Sequence, residues 1–133
     1  MLKLNTVHHI AIICSDYQTS KDFYTRILGF TIMAEHYRAE RNSYKLDLAL
    51  GDRYFVELFS FPNSPARVSR PEACGLRHLA FEVDDIAAEI ERLKGEGFTL
   101  LHQVAKAGAD NKIIAFLHPK SSNGVLIELC QDR

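Results

Sequence analysis

The stretch RHLAFEVDDI, residues Arg77 to Ile86, restates a phrase the chain has already used as HHIAIICSDY, residues His8 to Tyr17. His9 aligns with His78 and Asp16 with Asp85. Gly29-Phe30-Thr31 then falls on Gly97-Phe98-Thr99, and VEL around Glu57 falls on IEL around Glu128. Four landmarks at one near-constant offset of about 70 residues mark a duplicated module, and two copies are too few for a solenoid.

Each copy parses alike. VHHIAIIC and LRHLAFEV are short apolar runs rich in β-formers, hence strands. Asp16 and Asp85 stand where a carboxylate accepts the free N–H groups of a first helical turn. Phe23, Tyr24, Ile27 and Leu28 follow at helical spacing in the first copy, and Ile86, Ile90 and Leu93 in the second. Gly29 ends the first helix, and Gly97 or Gly95 the second, by allowing a left-handed backbone. Three more strands are predicted in each copy: near Phe30–Arg38, Ser43–Leu50 and Tyr54–Phe61, and near Phe98–Val104, Lys112–His118 and Gly124–Cys130. Gly51-Asp52 and Ser121-Ser122-Asn123-Gly124 supply turn chemistry. The reading is an α+β domain over residues 1–133 made of two tandem βαβββ modules, about 5–62 and 75–131. The linker, at about 63–74, lies in the segment PNSPARVSRPEACG, residues 62–75, which holds three of the four prolines.

Bulk properties narrow the function. Sixteen basic residues against seventeen acidic ones give a net charge of −1, which offers nothing to nucleic acid or an anionic membrane. No apolar run is long enough to cross a bilayer, and MLKLNT lacks the layout of a signal peptide. Cys14, Cys74 and Cys130 form no CxxC and cannot all pair, which fits a reducing cytoplasm and thiols used as small apolar residues.

Alternation across the strands sorts the polar residues. Val56 and Leu58 oppose Glu57; Ile127 and Leu129 oppose Glu128; Ile10 and Ile12 oppose His9; Leu79, Phe81 and Val83 oppose His78. Alone, a strand His is usually a hydrogen-bonded structural group and a strand Glu usually meets water. A carboxylate inside VEL or IEL is costly unless paired or metal-bound. Two His and two Glu supplied symmetrically suit a divalent cation such as Zn, Ni, Co, Mn or Fe(II). His8 is expected on the face opposite His9, and His36, His102 and His118, without repeat partners, in structural or surface roles. Arg67 and Arg70 in the linker and Lys120 in HPKS are cations that a solvated loop explains as well as an anionic substrate does.

At these residues the chain resembles the vicinal-oxygen-chelate superfamily, which includes glyoxalase I, methylmalonyl-CoA epimerase, extradiol dioxygenases and antibiotic-resistance proteins. The resemblance covers nearly the whole chain. KLDLAL, FVELFSFP and SRPEACGLRHLAF resemble small bacterial YaeR-type glyoxalase-like proteins, whereas IAFLHPKSSNGVLIELCQ resembles the C-terminal end of methylmalonyl-CoA epimerases. The resemblance implies an open, cup-shaped mixed sheet with helices outside and metal ligands on the first and last strand of each module: His9, Glu57, His78 and Glu128. It implies a homodimer acting on a small molecule. The activity implied first is a glyoxalase-I-like lyase or isomerase, in which the metal stabilises an enediolate and a ligand carboxylate, Glu128 first and Glu57 second, moves the proton. Methylmalonyl-CoA epimerase and a metal-free binding protein are the alternatives. The epimerase pattern carries a further carboxylate on the preceding strand, where this chain reads YKLDLALG with Asp47 nearby. An extradiol dioxygenase, with its 2-His-1-carboxylate iron, fits the four donors less well.

Overall fold

The computed structural model describes residues 1–66, 70, 72–102, 105–122 and 124–133. Arg67, Val104 and Asn123, named above, lie outside the described residues. The chain divides within the linker into two compact units, Met1–Ala66 and Arg67–Arg133.

The first unit runs β1 (Ile10–Cys14), α1 (Tyr17–Asp22), a π-helical turn (Phe23–Ile27), β2 (Thr31–Arg38), a 3-10 turn (Ala39–Arg41), β3 (Ser43–Leu50) and β4 (Arg53–Ser60). Its sheet has the order β1-β4-β3-β2, with β1 parallel to β4 and the other pairs antiparallel. Asp16 caps α1, its Oδ1 accepting from the Thr19 amide at 3.0 Å. Register places Ile12, Leu58 and Leu46 in one row across the sheet. That row, with Val56 and Leu48, is buried with Tyr17, Phe23, Tyr24 and Phe30. Burying each such side chain contributes about 1.5–3 kcal/mol. The neighbouring row, Ala11, Glu57 and Asp47, turns to the opposite face because strand side chains alternate.

The second unit repeats the plan: β5 (Leu79–Glu82), α2 (Ile86–Gly95), β6 (Lys106–Ala107), β7 (Lys112–Leu117) and β8 (Ile127–Asp132). The sheet order is β5-β8-β7-β6, again with the first strand parallel to the last. Asp85 caps α2 through the Ala88 amide at 3.1 Å. Gly97, at φ +87°, closes the helix by the left-handed exit that only glycine adopts without strain, and the Phe98 amide then bonds back to the Leu93 carbonyl. Leu79, Ile86, Ile90, Leu93, Ala115, Leu117, Ile127 and Leu129 form the core of this unit. The row facing away from it is Ala80, Glu128 and Phe116.

Both sheets are four-stranded and mixed, so the α+β class and the duplicated βαβββ plan hold. Of the expected strand over Phe98–Val104, residues 103 and 104 lie outside the described residues, and the described part forms no strand beyond one bridge. One bridge joins Leu100 to Leu117, and pairing resumes at Lys106–Ala107 against Ile114 and Ile113. Six positions separate Leu100 from Lys106, but only three separate their partners, so these two described pairings do not share one register. Among the described residues, no helix is long and apolar enough to cross a membrane.

Candidate metal centre

The two predicted histidines occupy the same place in each unit: each is the residue immediately before the first strand, β1 or β5. Each predicted glutamate sits inside the last strand, in the row beside the buried one. His9 Nε2 lies 3.8 Å from Glu57 Oε2, and His78 Nε2 lies 3.8 Å from Glu128 Oε2. The two carboxylates are only 18% and 14% exposed, so both are largely taken out of water.

Those distances can be tested against a metal. Nitrogen and carboxylate donors sit about 2.1 Å from zinc, so two donors of one ion can be no more than about 4.2 Å apart. Both His/Glu pairs meet that limit. Neither pair suffices alone, since zinc takes about four ligands. Among the described residues no three His, Cys, Asp or Glu side chains gather as a group able to hold an ion. Each unit thus offers a two-donor half-site.

The imidazoles are held differently. His9 Nδ1 is 2.8 Å from His8 Nδ1, one nitrogen donating and the other accepting, which leaves His9 Nε2 for Glu57 or a cation. Both rings lie against Tyr54, with centroids 5.5 and 5.4 Å away. The expectation that His8 faces away from His9 is therefore corrected: both residues precede β1, where strand alternation does not yet apply. His78 Nδ1 is buried with no hydrogen-bond partner, and its ring meets the edge of Phe116 at 5.5 Å.

The carboxylates differ more. Tyr54 Oη donates to Glu57 Oε2 at 2.7 Å and lies 3.0 Å from Asp47 Oδ1. Lys45 Nζ donates to Asp47 Oδ1 at 2.8 Å and stands 3.6 Å from Glu57 Oε2. Burial pushes the Asp47 carboxyl up, but the hydrogen bonds from Lys45 and Tyr54 outweigh it and leave the group below its ordinary value. The bond to Asp47 raises the Lys45 ammonium, while burial followed by Glu57 and Asp47 raises the Tyr54 phenol. Around Glu128 there is no such network. Phe116 stands in register where Asp47 faces Glu57, and Glu128 accepts no hydrogen bond among the described residues.

Sequence reasoning did not find Tyr54. It lies three residues before Glu57, which in a regular strand is the opposite face. The pairing of β3 with β4 shifts register between Leu48 and Ala49, whose partners are Val56 and Tyr54, and this brings the phenol to the glutamate's side. The remaining predicted groups stay outside both half-sites. His36 pairs across from Lys45 on the outer strand, His118 Nδ1 accepts from the Lys120 amide at 3.1 Å, and His102, Arg70 and Lys120 are exposed. Cys14, Cys74 and Cys130 are free thiols.

Comparison with known proteins follows the same geometry. The profile of the Glyoxalase/Bleomycin resistance protein/Dioxygenase superfamily matches residues 6–129. The chain is 63% identical over 94 residues to YaeR of Escherichia coli K12, which is 71% of this chain and 73% of that protein. It is 32% identical over 132 residues to mitochondrial methylmalonyl-CoA epimerase of Mus musculus, covering 97% of this chain and 74% of the epimerase. A glyoxalase family protein from Enterococcus faecalis superposes with a TM-score of 0.79 at 39% identity, over 94% of this chain and 96% of the other.

Proposed function

Because the chain belongs to the glyoxalase/bleomycin resistance protein/dioxygenase superfamily, we propose that it is a divalent-metal-dependent lyase or isomerase of the glyoxalase I type, with His9, Glu57, His78 and Glu128 as its ligands. The observation that carries the reading is the repeated His/Glu pair, at 3.8 Å in both units, with the His just before the first strand and the Glu inside the last. Bound there, Zn, Ni, Co, Mn or Fe supplies a Lewis acid for a substrate carbonyl oxygen. The protein's own task is then proton transfer. Glu128 takes the proton from the carbon next to the carbonyl and returns it to the neighbouring carbon, so the reaction is a net isomerisation without a co-reactant. Its carboxylate suits that task because no hydrogen bond holds it, whereas Glu57 is held by Tyr54. The working unit in this reading is a cytoplasmic homodimer of two 15.1 kDa chains acting on a small molecule.

A second substrate class has its own support in the epimerase relatives, which match almost the full chain. An acyl-CoA thioester poses the same proton-abstraction problem. Against a two-base epimerase stands Asp47, whose carboxylate is already engaged by Lys45 and Tyr54 and is a poor base.

The test combines metal analysis of purified protein with a turnover screen of hemithioacetals of methylglyoxal against methylmalonyl-CoA. One bound divalent ion per ligand set of four and hemithioacetal turnover are expected. Glu128→Gln should retain metal and lose about 100- to 10,000-fold in turnover. Protein that takes up no metal from any of the five ions refutes the enzyme reading in favour of a binding protein. Activity on the CoA ester alone moves the assignment to epimerase.

A further inference from the structure

The two half-sites are alike in their donors and unlike in what surrounds them. In the first unit Lys45, Asp47 and Tyr54 converge on Glu57. The repeat-equivalent positions in the second unit are Ile114, Phe116 and Val125, none of which can donate or accept a side-chain hydrogen bond. We propose that Tyr54 acts as a clamp that positions Glu57 as the fixed carboxylate donor, with Lys45 occupying Asp47 so that the phenol proton is left for Glu57, and that the first module thereby sets how tightly a cation is held. The proposal rests on the metal reading above and adds residues that reading does not need.

The argument is one of counting protons. A phenol has one proton to donate, and Tyr54 Oη has two carboxylate oxygens in reach, at 2.7 and 3.0 Å. Lys45 resolves the competition. Its ammonium satisfies Asp47 Oδ1 at 2.8 Å, so the phenol proton goes to Glu57 Oε2. That oxygen is the one that faces His9, hence the one whose direction a shared ion would sense. The carboxylate enters the site already oriented, and partners of this kind, one step behind a ligand, typically change metal affinity by about 10–100-fold when removed. Glu128, between Phe116 and Ala80 in register, has no such hydrogen-bonding partner.

Isothermal titration of metal-free protein with ZnCl2, and with CoCl2 followed by its visible absorption bands, tests the clamp. Tyr54→Phe removes the hydroxyl, and with it the contacts to Glu57 and Asp47; we expect affinity to fall about 10–100-fold and the cobalt bands to change as Glu57 loses its fixed direction. Tyr37→Phe, whose hydroxyl bonds only Asn42 on the exposed face, should bind within twofold of wild type. Asp47→Asn leaves Glu57 as the one anionic acceptor for the phenol, so it should bind within threefold of wild type. A role for Asp47 as simple negative charge demands clear weakening instead, and that result overturns the clamp. Should Tyr54→Phe prove unfolded by circular dichroism, Lys45→Met decides: the unpaired Asp47 then takes the phenol proton and zinc affinity falls, whereas loss of a nearby positive charge alone raises it, and a rise overturns the clamp. Wild type that binds no zinc or cobalt refutes the metal reading and the clamp together. Wild type that binds while Tyr54→Phe binds equally well refutes the clamp only.

Discussion

Replacing each glutamate by its isostere in metal-free protein should have unequal effects on folding stability, although Glu57 and Glu128 are repeat-equivalent. Glu57→Gln converts a charge-assisted hydrogen bond from Tyr54, 2.7 Å long, into a neutral one. Charged acceptors are worth about 1.5–3 kcal/mol and neutral ones about 0.5–1.5, so the difference is about 1 kcal/mol. The ion pair with Lys45 at 3.6 Å is also lost; the lysine is nearly a third exposed, and such pairs contribute at most about 1 kcal/mol. The expected loss is therefore about 1–2 kcal/mol. Glu128→Gln gives up no hydrogen bond and relieves a carboxylate that is 14% exposed beside Phe116. Its stability should stay within about 0.5 kcal/mol of wild type or rise. Urea denaturation in EDTA, followed by far-ultraviolet circular dichroism, reads both, with unchanged slopes required for the comparison. Equal losses at the two positions would refute the asymmetry on which the clamp is built.

Two further outcomes follow from local contacts. Asp85→Ala removes the cap of α2, whose amide partner is Ala88, and should cost about 1 kcal/mol of stability in the same urea assay, with Asp85→Asn nearly restoring it. Acid should destabilise the first unit through two carboxylates. Glu35 is held below its ordinary value by hydrogen bonds from Lys21 and then Tyr17, against a smaller opposing effect of burial; Asp47 is lowered by Lys45 and Tyr54 despite its burial. A depressed folded-state pKa contributes stability that is present above the unfolded values, 4.5 and 3.8, and is lost as pH falls through the folded ones. The urea midpoint should therefore drop below about pH 4.5, and Lys21→Met should flatten that drop; an unchanged acid slope in the variant contradicts the assignment.

Most of the architecture was legible because the sequence states it twice. The repeat located both first strands, both helix caps and both His/Glu pairs, and alternation put Val56, Leu58, Ile127 and Leu129 in the core while leaving the glutamates on the other face. What escaped depended on departures from regular period. The register at Leu100 is not the one found at Lys106, and that change has no signature in hydrophobic pattern. His8 was misplaced because β1 begins three residues later than its apolar run suggests. Tyr54 reaches Glu57 only through a register shift, which depends on pairing with another strand and not on the strand's own residues.

The π-helical turn at Phe23–Ile27 has a consequence for how this chain can vary. Its widened loop is closed by the Leu28 amide on the Phe23 carbonyl at 2.9 Å, five positions back instead of four. The extra residue rotates everything after it by about 100° around the axis. That rotation delivers Gly29 to its left-handed exit at φ +82° and Phe30 to the core. Deleting one position there would restore an ordinary helix but swing Phe30 outward and misdirect β2. Exposed Arg26 is open to drift and Phe23 and Tyr24 are held by the core, whereas the length of the segment is locked.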